Sequence, residues 1–486
     1  NGGAPPEEDG FPDVPPPSDP PSEVGPGVLT RWFREISAED GRTVGGKAAS
    51  LGEMYRKLDG EGVRIPNGFA TTTQAYALFL DAPVLPDMWD DVTGHESLGG
   101  VASKVLESGT LRAALELLFR DAHLDDDVEM HARAELARDV VNATPVPGAI
   151  QNALAEGYDA LCVEYGGEVD AAVRSSATRE DSELASFAGQ YESYLNVRGL
   201  VEITEAWRKC CASAFTERAI SYQMGRGMHP LGGSVSVVVM KMVRSDIATS
   251  GVMFTMDPES GNRNVVHVSS SFGLGELVVQ GTVSPDFFLV WKEGLRRGRS
   301  AVVHRWLGAK DVKLVYSTQG GTATESIDVE ASRRRMWSLT SEEALELARM
   351  ALVIEDHYGR PMDIEWAKDG YSGDLFIVQA RPETIHSSEE QKNILETYSM
   401  DPSLIEKLRS EGKALLSGQA VGTRIGTGTV RVYKDYQEVI ERKRALRNLL
   451  RDGCALEEIP AEAHVFDTGD VLVTSLTTPD WEPMMK

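Results

Sequence analysis

Four cysteines in 486 residues, none in a CxxC pair, exclude a disulfide-stapled scaffold and any zinc-ligand spacing. Cys162, Cys210, Cys211 and Cys454 read as ordinary thiols of a reducing compartment, so a cytoplasmic location is expected. No apolar run approaches the ~18 residues of a membrane span, and no charged-then-apolar leader stands at the amino terminus. Basic residues are scarce: 49 Lys plus Arg against 75 Asp plus Glu, a formal charge of −26. Such a surface argues against nucleic-acid and anionic-membrane partners, yet it leaves room for a local basic cleft around an anionic ligand. No internal repeat and no GxxxxGK[ST] phosphate loop is present. The first residue is Asn, not Met, so the chain reads as a fragment or a processed protein.

What is there is ordinary globular material, 41% hydrophobic and 26% charged, with enough length for about three domains. Residues 1–28 stand apart, with nine prolines, six acidic residues and no Lys or Arg, a composition that predicts a disordered tail. Ala48 to Leu58 carries Leu51, Met54, Tyr55 and Leu58 at helical spacing. Val63-Arg64-Ile65 reads as a short strand entering a Pro66-Asn67-Gly68 turn, and Thr71, Thr72 or Thr73 as the cap of the next helix. Residues 86–160 read as acidic amphipathic helix. The stretches Ser234–Met240, Gly251–Thr255 and Asn264–Val268 are β-branched and predict strands. A helix over 341–357 precedes strands near Met362–Ala367 and Leu375–Gln379, an ending that suits a mixed α+β lobe. Glu438–Arg451 reads as an exposed helix, and Val471–Thr474 as a strand of a new module that begins near Gly418.

Four clusters could carry chemistry, and each also has a plainer reading. Gly45-Gly46-Lys47 opens a helix, where amide groups and an ammonium favour phosphate, although such a run is often only a loop and a cap. Arg174-Ser175-Ser176-Ala177-Thr178 and Ser186-Phe187-Ala188-Gly189-Gln190 can wrap a polyphosphate, or can be polar surface loops. Lys241-Met242-Val243 and Ser250–Phe254 can form the wall of an adenine pocket, or a core strand. Alternation places Asp363 with Glu365, and Gln379 with Arg381, on single faces of two strands. If those strands pair, hard oxygen ligands for Mg²⁺ meet a guanidinium suited to a transferring phosphoryl group, or the pairing is a salt bridge and nothing more.

Taken in order with Gly273-Leu-Gly-Glu276, Pro285-Asp286, Tyr358–Trp366 and Gln379-Ala-Arg-Pro-Glu383, these motifs resemble the phosphoenolpyruvate synthase (pyruvate, water dikinase) family over residues 30–486. The resemblance implies an α+β fold: a two-lobed ATP-grasp domain followed by the beginning of a swivelling phosphohistidine domain. The division it suggests is a tail at 1–28, lobes at 29–233 and 234–385, a helical linker at 386–412 and an incomplete phosphohistidine domain at 413–486. ATP and Mg²⁺ are the implied cofactors, bound in the cleft between the lobes. Pyruvate is the implied further partner, and a homo-oligomer is allowed for. By motif, Lys47 and Arg174 would hold phosphates, and Gly189 and Ser193 would line the phosphate loop. Lys241, Met242 and Val243 would form the adenine hinge, and Glu276 would serve the ribose or metal side. Glu365 and Gln379 would bind Mg²⁺ with Asp363 in support, and Arg381 would contact the transferred phosphoryl group.

Met240 stands where relatives often carry Gln, and Ser193 where Thr is usual. None of the nine His residues lies in the family's phosphohistidine motif; His464 falls in an apparent insertion at 436–463. Rifamycin-type antibiotic phosphotransferases share the nucleotide lobe and are the competing enzyme reading, but Asp480–Lys486 resembles the synthase more closely. A non-catalytic nucleotide-binding fragment is the reading from another class. The expectation is that this chain alone makes no phosphoenolpyruvate, because the covalent relay needs a His acceptor. Incubation with labelled ATP, Mg²⁺ and pyruvate tests this; sustained product, or a stable phosphohistidine, would refute it.

Overall fold

The computed structural model describes residues 27–84, 98, 100–122, 127–178, 192–225, 228–317, 324–383, 401–413, 426–451, 468–474, 477 and 481. The expected tail up to residue 26, most of the linker, and the segment around His464 lie outside them. Two compact units emerge, residues 1–56 with 67–242 and residues 57–66 with 243–486.

The first unit is built on a sheet of order β1-β2-β5-β3-β4. Its strands are β1 (Thr30–Trp32), β2 (Gly68–Thr71), β3 (Ala171–Ala177), β4 (Ser193–Val197) and β5 (Val235–Lys241). The central strand, β5, is antiparallel to both β2 and β3. Its run of valines explains that position. Val235, Val237 and Val239 join the helical core, while Val238 and Met240 are buried on the other face, where the one polar residue, Ser236, satisfies its hydroxyl on the Thr71 carbonyl. Helices of this unit are α1 (Gly41–Leu58), α2 (Thr73–Leu80), α3 (Gly100–Leu106), α4 (Leu111–Phe119), α5 (Asp127–Ala143), α6 (Gly148–Glu164), α7 (Gly199–Ala212) and α8 (Glu217–Met224). The acidic helical stretch expected over 86–160 is therefore four separate helices among the described residues.

The second unit holds a six-stranded sheet of order β13-β12-β6-β7-β8-β9. Its strands are β6 (Thr249–Phe254), β7 (Val265–Phe272), β8 (Asp286–Trp291), β9 (Val302–Trp306), β12 (Met362–Lys368) and β13 (Leu375–Pro382), with β10 (Val312–Tyr316) and β11 (Thr324–Asp328) as a separate hairpin. The helices are α9 (Glu276–Val279), α10 (Lys292–Arg296), α11 (Ala331–Arg334), α12 (Ser341–Tyr358), α13 (Pro402–Ser410) and α14 (Tyr436–Arg451). Thr340 caps α12 by accepting the Glu343 amide at 3.2 Å, and Glu343 returns the bond to the Thr340 amide. Gly359, at φ 66°, ends the helix in the left-handed conformation. Between these signals Ala344, Leu347, Ala348, Ala351 and Ile354 form the buried stripe that packs on β7, β8 and β12. Beneath it Asp286 and Lys310 form a fully buried ion pair, and the Gly308 and Ser338 amides each donate to Asp286 at 2.8 Å. Those donors supply the hydrogen bonds that a buried carboxylate requires. Strands β14 (Val430–Val432) and β15 (Val471–Val473) pair in parallel, and Tyr433, Tyr436, Val439, Ile440 and Trp481 make a small cluster of their own. One face of α14 is thus buried, where the sequence suggested exposure all round.

Three local expectations change. Val63–Ile65 forms no ladder; the Val63 amide donates to the Leu58 carbonyl at 3.2 Å, the Ile377 amide to the Arg64 carbonyl at 2.9 Å, and Arg64 Nη1 to Glu346 at 2.8 Å. The strand lies just beyond it, at Gly68–Thr71. Thr72 occupies the cap position of α2, but its hydroxyl donates to the Val28 carbonyl at 2.7 Å. The expected boundary at 233/234 assigns β5 to the second lobe, whereas β5 is the middle strand of the first sheet and the units divide at 242/243.

His131 on α5 is held between Glu135, 3.4 Å from Nε2, and Glu217 at the start of α8, 2.7 Å from Nδ1. These carboxylates outweigh burial and push its pKa up to about 9. A pKa raised above the ordinary ~6.5 stabilises the fold fully below about pH 6.5, and the contribution fades as pH rises through about 9. His131→Gln should therefore cost about 1–2 kcal/mol at pH 6, allowing for solvent screening. By pH 10 the gap to the parent chain should have largely closed, as urea unfolding at both pH values can measure.

Candidate nucleotide site

In the first unit the first two sequence clusters come together. Gly45 interrupts α1 with φ 76° and ψ 164°, and a Cβ there would lie 2.1 Å from the Ser176 carbonyl oxygen. Only glycine allows this approach. Three residues on, the Ala48 amide donates to Ser176 Oγ at 3.0 Å. Lys47 and Arg174 are both half-buried. Arg174 of β3 is the register partner of Ser193 on β4. Next to them, the Glu192 carbonyl accepts from Ser175 Oγ at 3.1 Å. Cys210 lies beneath: burial holds its thiol well above the usual range, the Glu192 charge adds to the shift, and Lys47 and Arg174 oppose it. Both cations thus lie near enough to act on one buried sulfur. Gly189 and the Ser186–Gln190 run lie outside the described residues.

The hinge run straddles the division of units. In the first unit the Lys241 amide donates to the Asn67 carbonyl at 3.0 Å and the Met242 amide to the Asp170 carbonyl at 2.8 Å. The Lys241 ammonium donates to the Met242 carbonyl at 3.1 Å and lies 5.4 Å from the Tyr165 ring centre. Met240 is buried against Gly68. In the second unit, Val243 is buried and its carbonyl accepts from the Ser245 amide at 2.8 Å. Arg244 grips Asp246 through Nε and Nη2, at 2.9 and 3.0 Å, with its guanidinium beside the rings of Tyr316 and Tyr371.

The remaining clusters share the second sheet. β12 pairs with β13 so that Asp363 faces Arg381 and Glu365 faces Gln379. On its other edge β12 pairs with β6, so that Asp363 faces Phe254 and Glu365 faces Val252. Asp363 Oδ2 accepts from Arg381 Nε at 2.9 Å and Nη2 at 2.8 Å. The salt bridge and the convergence of carboxylates are therefore both present. Burial pushes the Asp363 carboxyl above the usual carboxylate range; Arg381 opposes this, and Glu365 and Glu383 add to it. The sequence reading gave Glu383 no role, although the alternation that pairs Gln379 with Arg381 extends to it. Glu192 and Cys210 were also without roles, and Ser176, read only as part of the polyphosphate cluster, gains its contact with the Ala48 amide from tertiary placement. Among the described residues no group of three His, Cys, Asp or Glu side chains could hold a metal ion by itself. A carboxylate and an amide oxygen at one register position fit Mg²⁺, which is usually completed by substrate phosphates and water.

Glu276 opens the short helix α9 and is half-buried. The loop before it is seated by the Ser250 hydroxyl, which donates to the Gly273 carbonyl at 2.6 Å, and by the Leu274 amide, which donates to the Leu314 carbonyl at 2.9 Å. Asp286, quoted with this loop, is the buried structural anion described above.

The fold is of mixed α and β structure, and the chain belongs to the pyruvate phosphate dikinase AMP/ATP-binding domain family, whose model matches residues 41–401. It is 40% identical over 470 residues to the phosphoenolpyruvate synthase of Synechocystis sp., covering 94% of this chain and 50% of that protein. The phosphoenolpyruvate synthase of Escherichia coli is 41% identical over 467 residues, covering 96% of this chain and 51% of that protein. A probable phosphoenolpyruvate synthase of Pyrococcus horikoshii is 33% identical over 467 residues, covering 94% and 51%. The chain spans about half the length of the curated relatives it matches. Among the described residues no helix is long and apolar enough to cross a membrane.

Two motif glycines differ sharply in what they tolerate. A Cβ on Gly251 of β6 would lie 2.0 Å from the Ser269 carbonyl oxygen of β7, whereas one on Gly275 meets nothing closer than 3.5 Å. Gly251→Ala should cost about 2–4 kcal/mol by forcing the two strands apart. Gly275→Ala should stay within about 0.5 kcal/mol, and chemical denaturation of both variants reads the difference.

Proposed function

We propose that this chain binds Mg²⁺-ATP through an ATP-grasp arrangement and supplies the phosphoryl-donor part of a dikinase of the phosphoenolpyruvate synthase type. The reaction of that whole enzyme is ATP, pyruvate and water to phosphoenolpyruvate, AMP and phosphate. The observation that carries the reading is the register of β12 on β13, which sets Glu365 opposite Gln379 and Asp363 opposite Arg381. The family match and the shared name of the relatives support it over an antibiotic phosphotransferase.

On this reading Lys47 and Arg174 hold the phosphates, with Ser193 and the Gly189 loop lining them. A planar guanidinium and an ammonium neutralise oxygens without needing to reorganise. Arg381, oriented by Asp363, meets the transferred group and stabilises the charge that spreads over its oxygens in the transition state. Glu365 and Gln379 hold Mg²⁺, which neutralises phosphate charge. Lys241, Met242 and Val243 frame the adenine, and Glu276 serves the ribose or metal side. The phosphoryl acceptor is a His of the swivelling domain, to which residues 413–486 contribute, and pyruvate is the partner of the complete reaction. A cytoplasmic, self-associating enzyme is consistent with this role.

A ligand that binds only the folded state stabilises it by RT ln(1 + [L]/Kd), about 2.7 kcal/mol at 100 times Kd. Saturating Mg²⁺-ATP should raise the melting temperature accordingly, and an unmoved transition would count against the reading. Glu365→Ala should weaken the Mg²⁺-dependent part of ATP binding more than Asp246→Ala, because Asp246 is engaged with Arg244. Equal losses in a Mg²⁺ titration would remove Glu365 from the metal.

A further inference from the structure

Ser176 lies on β3 two residues beyond Arg174, with no irregularity in the pairing of β3 with β5 between them. Alternation therefore puts both side chains on one face of the strand. Ser176 is fully buried, and its hydroxyl accepts the Ala48 amide across 128 residues of sequence. That amide belongs to the first turn after the break at Gly45, where helix amides have no partner within the helix. The missing cap is thus supplied from a distant strand. Gly45 seals the same contact, because its Cα sits directly against the Ser176 carbonyl.

From this we infer that Ser176 is a positioning residue for oligophosphate binding. Its hydroxyl fixes the start of the helix that carries Lys47, and so sets that ammonium on the face of β3 that carries Arg174. The inference rests on the nucleotide reading above for the identity of the ligand, but its geometry is independent of it. Ser176 touches no phosphate in this account; it acts through Lys47. Ser175, the adjacent residue, provides the control. It is equally buried and also hydrogen-bonded, but it points to the opposite face and bonds the Glu192 carbonyl. A merely structural role for buried serine hydroxyls would make the two positions equivalent.

The test uses the full chain and two probes, Mg²⁺-ATP and inorganic tripolyphosphate, with dissociation constants from calorimetry and melting temperatures measured in parallel. Ser176→Ala should weaken both probes roughly 5–20-fold, the cost of a lost hydrogen bond expressed through a misplaced charge. Ser175→Ala should change neither by more than about twofold while lowering the melting temperature by a similar amount. Lys47→Met should cost markedly less in the Ser176→Ala background than in the parent, because the ammonium is already out of place. Exchange of the Ala48 amide should be faster in Ser176→Ala than in Ser175→Ala. Equal weakening by the two serine variants, or additive effects of Lys47→Met and Ser176→Ala, would overturn the inference. A parent chain that binds tripolyphosphate but not ATP would end the nucleotide reading and leave Ser176 to be judged on tripolyphosphate. A parent that binds neither probe would end both.

Discussion

The second unit depends on β12 being held on both edges. Asp363 and Glu365 reach their partners because β13 on one side keeps one register over Met362–Glu365, shifting only after Glu365, and β6 on the other side holds its register through this stretch. A slip of one residue would turn both carboxylates to the opposite face, where Met362, Ile364 and Trp366 are now buried. The hydrophobic demand of that face, met by α12, therefore sets the alignment of the polar one. Gly251 belongs to the same constraint, because β6 can lie close to β7 only where no Cβ intervenes. Asp286 and Lys310 hold the other end of the sheet through a buried pair whose hydrogen bonds are met by Gly308 and Ser338.

The first unit solves a similar problem with backbone contact. A helix start and a strand from distant parts of the chain are brought together by one glycine and one serine, and the two cations of the candidate phosphate site follow from that docking. Cys210 is buried in the helical core of this unit, where burial raises its thiol pKa and disfavours the thiolate. The negative surface read from composition and the local gathering of Lys47 and Arg174 are compatible, since a cleft needs only its own few charges to favour an anion.

Much of this was legible beforehand. The helix read over 341–357 forms as Ser341–Tyr358. The strands around Ser234–Met240, Met362–Ala367 and Leu375–Gln379 declared themselves by β-branched runs and alternation. The convergence of Asp363 and Glu365 with Gln379 and Arg381 was conditional on pairing, and the pairing is present. Short elements were not legible. Val63–Ile65 is as β-prone as Gly68–Thr71, and only the availability of β5 decides which of them joins a ladder. Thr72 has the chemistry of a cap, yet the Val28 carbonyl is the partner its hydroxyl takes.

By itself the sequence determined which residue types are suited to phosphate and metal, which of the longer segments would be helix or strand, and that the body would be acidic and poor in disulfide chemistry. These are properties of local periodicity, composition and side-chain donors, and they survive without knowledge of neighbours. Tertiary structure alone decided that β5 belongs with β2 and β3, that Ser176 caps a helix 128 residues away, and that Glu383 and Glu192 stand among the charges that matter. The reason is physical. Sheet neighbours, long-range caps and burial arise from which surfaces exclude water together, and residues far apart in the chain carry no local mark of that choice.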